Sequence, residues 1–454
     1  MGKNFDYDYI IIGSGPAGTT AALNLAKTKR KKIAIIEGAN YGGNNLNTRD
    51  IPYTISLEFA HKFYDLKDSP ELTGQNLHYN FPTIVAHQEK VAKALGAGDK
   101  KLFRAAGITC IDGYAHFLDA NTIAVGNKKI TSSYFVLATG AVLDTGKIVG
   151  LNSVDYYTPN DIIKIRRLPK FVLVVGGGST GCEVAEYFAK LGTKVILMES
   201  ESRILPKEDA EASICLRDYF KKELGIMVME SCKVVEVSKD GAAKRVIFTT
   251  NGAEKMVRID CVVLATGAKP RTDYGLENAG VKFTKTGITV DKFFQTSARN
   301  IFAIGDCIGS NSSTERAEYE ASVLADNLLH RTKNPVRHSG FIRVTGTSPE
   351  IATVGKTEDT LIKNKVKYEK SVALLKDIPA SKIFGISHGF VKILVDRSGR
   401  IIGATIMAPG ASLMITELAI AIRHHLTAVE VAGTPHVTNG FGQAVKLAAK
   451  KLVK

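Results

Sequence analysis

The sequence predicts an α/β protein with two Rossmann-like units in tandem, and three observations carry that prediction. A GxGxxG pattern occurs twice, at Gly13, Gly15 and Gly18 and again at Gly176, Gly178 and Gly181. Each copy joins an apolar run to a helix pattern and is followed by a second apolar run ending in an acid, Glu37 or Glu199. Each block then closes on the same phrase, VLATGA, at 136–141 and 263–268.

Taken in order, Tyr9–Ile12 is a continuous apolar run of the kind buried on both faces of a parallel sheet. The first glycine makes the tight turn and the second lets backbone approach a pyrophosphate. The third lets the helix pack close to the strand, with its N-terminus facing the phosphates. The run KIAIIE places Glu37 about 20 residues on, where a carboxylate accepts ribose hydroxyls. The stretch KFVLVVGGGSTGCEVAEYFAKLGTKVILMES repeats the design down to Glu199. Short strands follow each copy, with turns such as SKDG and TTNG in the second. Two such units imply two dinucleotides, a flavin and a nicotinamide. A later run, TSARNIFAIGDC, reads as a strand ending at Asp306, with an amphipathic helix after it that a Ser312–Glu315 capping box would start.

Composition bounds the rest. With 454 residues, the chain has room for about three domains. Hydrophobic residues at 44% and charged residues at 23% are ordinary for a globular protein. No apolar run reaches the roughly 18 residues of a membrane span, and no export leader precedes the first strand. The six cysteines are scattered, with no CxxC pair or metal spacing, and read as reduced small apolar residues in a cytoplasmic protein. The net charge of +15 reads as a solvated Lys-rich surface. Its clusters, KTKRKK at 27–32 and the C-terminal KLAAKKLVK, lack the interleaved aromatics of a nucleic-acid platform.

The order of motifs resembles the flavin-dependent pyridine nucleotide–disulfide oxidoreductases, such as dihydrolipoamide dehydrogenase, glutathione reductase and mercuric reductase. The matching stretches run the length of the chain: the ATG phrases, the GD strand, TSPEIATVG at 347–355 and GFVKILVDRSGRIIGATIMAPGA at 389–411. The resemblance implies an FAD-binding domain at 1–148 and 272–335, an NAD(P)-binding domain at 149–271 and an α+β dimerisation domain at 336–454. It also implies FAD and NAD(H) as cofactors, with NADP(H) second. Asp306 would hold the flavin ribityl chain. Thr54, Ala115, Thr139, Gly140, Glu183 and Gly267 would join the two glycine turns and Glu37 and Glu199 in contacting cofactor.

The stretch GGNNLNTRDIPYT, Gly42 to Thr54, lies where that family has GGTCLNxGCIPSK. Gly42, Gly43, Leu46, Asn47, Ile51 and Pro52 match. The two cysteine positions hold Asn45 and Asp50, the intervening glycine is Arg49, and Ser-Lys is Tyr53-Thr54. An amide and a carboxylate cannot carry two electrons as a disulfide does. The family's partner-subunit segment HAHPTxxE fares the same. Without a gap, His436 takes the non-catalytic His, Thr438 the catalytic one and Gln443 its orienting Glu. A two-residue shift would put His436 on the catalytic position, facing Phe441. Glu183, the partner of the family lysine, reads as a nicotinamide contact or as a locally hydrogen-bonded helix residue. His424 and His425 read as helix-end surface residues, and Cys182 and Cys307 as buried thiols. No metal site is expected.

The implied activity is an NADH-oxidising flavoprotein, a homodimer, that passes electrons from FAD directly to a small-molecule acceptor such as a quinone or dye. Alternatives are a soluble transhydrogenase, a non-enzymatic FAD-binding sensor or assembly protein, and a reductase whose Asn45, Arg49, Asp50 and Thr438 bind a new substrate. Arg203, close after Glu199, would temper a preference for NADH.

Overall fold

The structure is a computed structural model describing residues 4–48, 50–67, 78–309, 313–337, 339–386 and 388–453. The first apolar runs form a parallel sheet. Thr109–Asp112, Ile33–Glu37, Tyr7–Ile12 and Lys128–Leu137 lie side by side in that order, and Ile301–Ala303 returns from far along the chain to pair with the last. The central residues of these strands are buried, with helices Pro16–Ala26 and Thr314–His330 on one face and the antiparallel strands Ala115–Asp119 and Thr122–Val125 on the other. The first half of Lys128–Leu137 leaves this sheet to pair antiparallel with Thr122–Val125.

The second unit repeats the plan with four parallel strands, in the order Met227–Met229, Lys194–Met198, Phe171–Val175 and Cys261–Leu264. A three-stranded antiparallel sheet spanning 232–259 is added to it. The strands after the two VLATGA phrases, Ala141–Leu143 and Ala268–Pro270, pair with each other and tie the two units together. The third part is a five-stranded antiparallel sheet over 342–408, with helices Ala411–Arg423, Ala428–Gly433 and Gln443–Lys450 packed into one apolar core with it. Not all of this part's apolar surface is covered. Leu413 is 81% and Val437 77% exposed, and Ile420 lies on the same helix face as Leu413.

The expected capping box lies partly outside the described residues, since Ser312 is not among them. The N-cap of helix Thr314–His330 is Ser313, whose Oγ accepts the Arg316 N–H at 3.4 Å.

The second and third parts are clamped by buried ions. Lys392, fully buried in strand Phe390–Val395, sets its Nζ 3.2 Å from Asp209, 2.7 Å from Glu211 and 2.6 Å from Glu358. Asp209 also accepts the Thr405 hydroxyl and the Glu358 N–H. Arg343 forks onto Glu208 at 3.0 and 3.1 Å, and Arg203 pairs with Asp359. Burial disfavours the Lys392 charge, but the carboxylates outweigh it and raise its pKa. Burial likewise opposes ionisation of Glu358, yet hydrogen bonds from Lys370, Lys392 and Tyr368 pull it down to about 2.

Two expectations follow. Lys392→Ala removes the buried cation shared by three carboxylates, leaving the buried Asp209 without one, and should cost about 3–5 kcal/mol in denaturant unfolding; an unchanged midpoint would show that the clamp contributes nothing. Because the Glu358 pKa falls on folding, its contribution is complete above the ordinary 4.5 and lost as pH drops toward 2. Glu358→Gln should therefore flatten the stability profile across that window.

Candidate functional site

The two glycine turns are built alike. Gly13 and Gly176 both sit at φ +102°, where a Cβ would meet the carbonyl oxygen of Ala138 or Ala265, the alanines of the two ATG phrases. A Cβ on Gly18 or Gly181 would fall on the carbonyl of Gly13 or Gly176. These four glycines are therefore required by packing within the protein. Gly15 and Gly178 differ, since nothing lies within 4 Å of the Cβ position of either. They are the N-caps of helices Pro16–Ala26 and Ser179–Lys190, and neither helix start is capped by a side chain. Uncapped N–H groups and the positive end of the dipole thus open onto free space, which fits a pyrophosphate at each turn.

Both acids act on their own turn. Glu37 Oε2 accepts from Ser14 N (3.0 Å) and Oγ (2.7 Å), and its Oε1 from Ala39 N (2.8 Å). Glu199 Oε2 accepts from Gly177 N (2.7 Å), and its Oε1 from Glu201 N (2.8 Å) and Ser200 Oγ (3.1 Å). Glu37 Oε1 and Glu199 Oε2 each accept one of these bonds and so retain a lone pair for a ribose hydroxyl.

A cavity of about 2730 Å³ runs between the two turns. Gly13, Gly15, Glu37, Asn45, Thr54, Ala115, Thr139, Gly140, Gly178, Glu183, Gly267 and Asp306 lie on its wall. Gly18, Gly176, Gly181 and the nearly buried Glu199 support it from behind. Thr438 is exposed and Gln443 half-buried, and neither lines this cavity in a single subunit.

The turn at 42–54 keeps its scaffold. Gly42 and Gly43 have φ of +89° and +61°, and a Cβ on Gly43 would press on the Gly15 backbone, so the turn abuts the first pyrophosphate loop. Asn47 donates to the Tyr41 and Gly43 carbonyls, both at 2.8 Å. Asn45 donates to Thr314 Oγ1 at 2.7 Å, tying the turn to the start of helix Thr314–His330. Tyr53 is buried with its hydroxyl unpartnered among the described residues, and burial, helped by Glu183 and Glu186, holds it as a neutral phenol. Asp50 opens helix Asp50–Lys67; its side chain and Arg49 lie outside the described residues.

Other candidates settle into plain roles. Glu183 Oε1 accepts the Gly346 N–H at 2.6 Å, so this carboxylate both lines the cavity and pins a loop of the third part. Arg203 reaches Asp359 and the Glu208 carbonyl. His424 and His425 are exposed, and His436 contacts Glu417 (3.2 Å) and the Thr434 carbonyl (2.9 Å). Burial raises the Cys182 thiol well above its ordinary value and Cys307 to about 12. Among the described residues, the acids close enough to share a metal ion are Asp209, Glu211 and Glu358, and Lys392 occupies their centre. Sequence reasoning missed the wall formed by Glu58, His61, Lys62 and Asp65. Its signal was available, because with Thr54 these residues recur at helical spacing after the turn.

If Glu199 reads the ribose, NADH should be used roughly tenfold or more better than NADPH, a difference of about 1.4 kcal/mol. Equal kcat/KM for the two cofactors would refute that role.

The comparisons agree with this architecture. Residues 7–321 match the pyridine nucleotide-disulphide oxidoreductase family, and 342–449 match that family's dimerisation domain. The chain is 30% identical to a mercuric reductase of Streptomyces lividans over 98% of its own length and 96% of the relative. It is also 30% identical to dihydrolipoyl dehydrogenase of Geobacillus stearothermophilus, over 97% and 95% of the two chains. Among solved structures, LpdA from Mycobacterium tuberculosis superposes with a TM-score of 0.88 at 26% identity, covering 98% of this chain and all of that one. The family binds FAD and NAD(P)H, and its dimerisation domain supports a homodimer. No helix among the described residues is long and apolar enough to cross a membrane. The open glycine turns, the twin acid cradles and these matches together make the chain a member of the pyridine nucleotide–disulfide oxidoreductase family.

Proposed function

We propose that the protein is an FAD-dependent NADH oxidoreductase that passes electrons through the flavin directly to a small-molecule acceptor such as a quinone or dye, with no protein disulfide. One observation carries this reading: the nucleotide turns are intact, while the two positions that would hold the disulfide are Asn45 and Asp50, and no cysteine precedes Cys110. The Asn45 amide is committed to Thr314. The cysteines elsewhere are unpaired, buried or half-buried, and burial raises the thiols of Cys110, Cys182, Cys215, Cys261 and Cys307.

When bound, FAD supplies the two-electron chemistry. The chain's own residues present N–H groups to the phosphates from the helix starts at Gly15 and Gly178 and hold the ribose acids rigid. Mercuric reductases are among the relatives, but a soft metal ion calls for thiolate ligands, and the turn offers amides and hydroxyls. An organic acceptor therefore fits better.

Anaerobic titration with NADH should deliver two electrons per flavin and no long-wavelength band from a thiolate beside it. Menadione or a dye should be turned over, and lipoamide or glutathione disulfide should not. Four-electron uptake, or the band itself, would overturn the proposal.

A further inference from the structure

Helix Asp50–Lys67 turns a polar stripe to the cavity, carrying Thr54, Glu58, His61, Lys62 and Asp65. Glu58 and Lys62 pair with each other at 2.9 Å. His61 is different, since an imidazole can both give up and take back a proton. Its Nε2 lies 3.4 Å from Oε2 of Glu186, within ion-pair reach when the ring is protonated, and the side chain is 15% exposed. Glu186 is fully buried. It accepts the Ser348 N–H at 3.0 and 3.1 Å and has Lys190 Nζ at 3.1 Å, itself 1% exposed. An imidazole therefore faces the cavity with a fixed carboxylate behind it. That arrangement suits a general acid, in which one partner orients the ring and the ring moves the proton.

We propose that His61 is the proton donor for acceptor reduction, and that the acceptor is a carbonyl compound of the quinone class bound against this helix. The inference rests on the oxidoreductase reading above. Reducing the quinone takes two electrons and two protons. NADH supplies the electrons and one proton as hydride, by way of the flavin, and becomes NAD⁺. The second proton leaves the His61 imidazolium for the far carbonyl oxygen, and the ring regains a proton from solvent. The charged groups sharing its stripe are Glu58, Lys62 and Asp65, and helix Ser179–Lys190 sets Glu186 against the ring with Lys190 paired to that carboxylate. Glu350, engaged by the Ser412 N–H, lies beyond Ser348. Helix Phe81–Ala105 adds the neutral Gln88, bonded to Ser56.

The test is anaerobic rapid mixing of NADH-reduced holoenzyme with menadione, which needs protons, and with ferricyanide, which takes electrons alone. In His61→Gln, reoxidation by menadione should slow by roughly 10²-fold. The pH dependence of that reoxidation should flatten. Flavin reduction by NADH and reoxidation by ferricyanide should keep their wild-type rates. In Glu186→Gln the ring remains, and the menadione pH profile should shift. Equal slowing with both acceptors, or slowing with neither, overturns the role. If His61→Gln does not retain flavin, an unmoved profile in Glu186→Gln overturns it instead. A wild-type enzyme that reduces neither acceptor overturns the oxidoreductase reading itself.

Discussion

The approach that governs both glycine turns is backbone on backbone, where the third glycine of each turn meets the carbonyl of the first. Gly18 over Gly13 and Gly181 over Gly176 leave no room for a methyl group. That contact sets the distance and direction of each helix relative to its strand. It therefore decides that Gly15 and Gly178 face open space and that both helix dipoles point into one cavity. The ATG alanines complete the constraint, because their carbonyls crowd Gly13 and Gly176 from the neighbouring strand. A phrase that looks arbitrary in the sequence is the other half of the turn.

A second layer of contacts holds the cavity wall. Glu183 and Glu186 take N–H groups from the loop at 346–348, and Lys392 gathers Asp209, Glu211 and Glu358. Burying that many charges is costly unless each is matched, and here each carboxylate has a cation or an N–H donor. The result is specificity of placement. The second unit is registered against the third sheet by directional bonds that a purely apolar contact would leave free to slide.

Most of the fold was legible because the Rossmann turn needs particular residues at particular spacings. Glycine has no substitute at Gly13 or Gly18, and an acid at the strand end is needed to hold the turn, so local sequence announces both units. The antiparallel sheet of the third part was legible through resemblance rather than through spacing. The loss of thiols at Asn45 and Asp50 could be read directly, but the use made of Asn45 could not, since Thr314 lies 269 residues away. The same is true of His61, whose partner Glu186 is 125 positions distant in numbering, and of Lys392. An isolated lysine in a strand gives no sign that three acids will surround it. The helix start at Thr314 was legible from its serines, although Ser312 lies outside the described residues and the N-cap among them is Ser313.

The burial of the cysteines reaches beyond packing. Enzymes that work through an accessible thiolate are stopped by oxidants, alkylating agents and heavy metals, because those reagents attack the thiolate form. In this chain the turn at 42–54 holds no cysteine, and burial raises the thiols of Cys110, Cys182, Cys215, Cys261 and Cys307. Its electron flow would then follow the supply of reduced nicotinamide without being gated by the thiol–disulfide balance around it. Such a flavoprotein would keep turning over under the oxidative conditions that silence its thiol-dependent relatives.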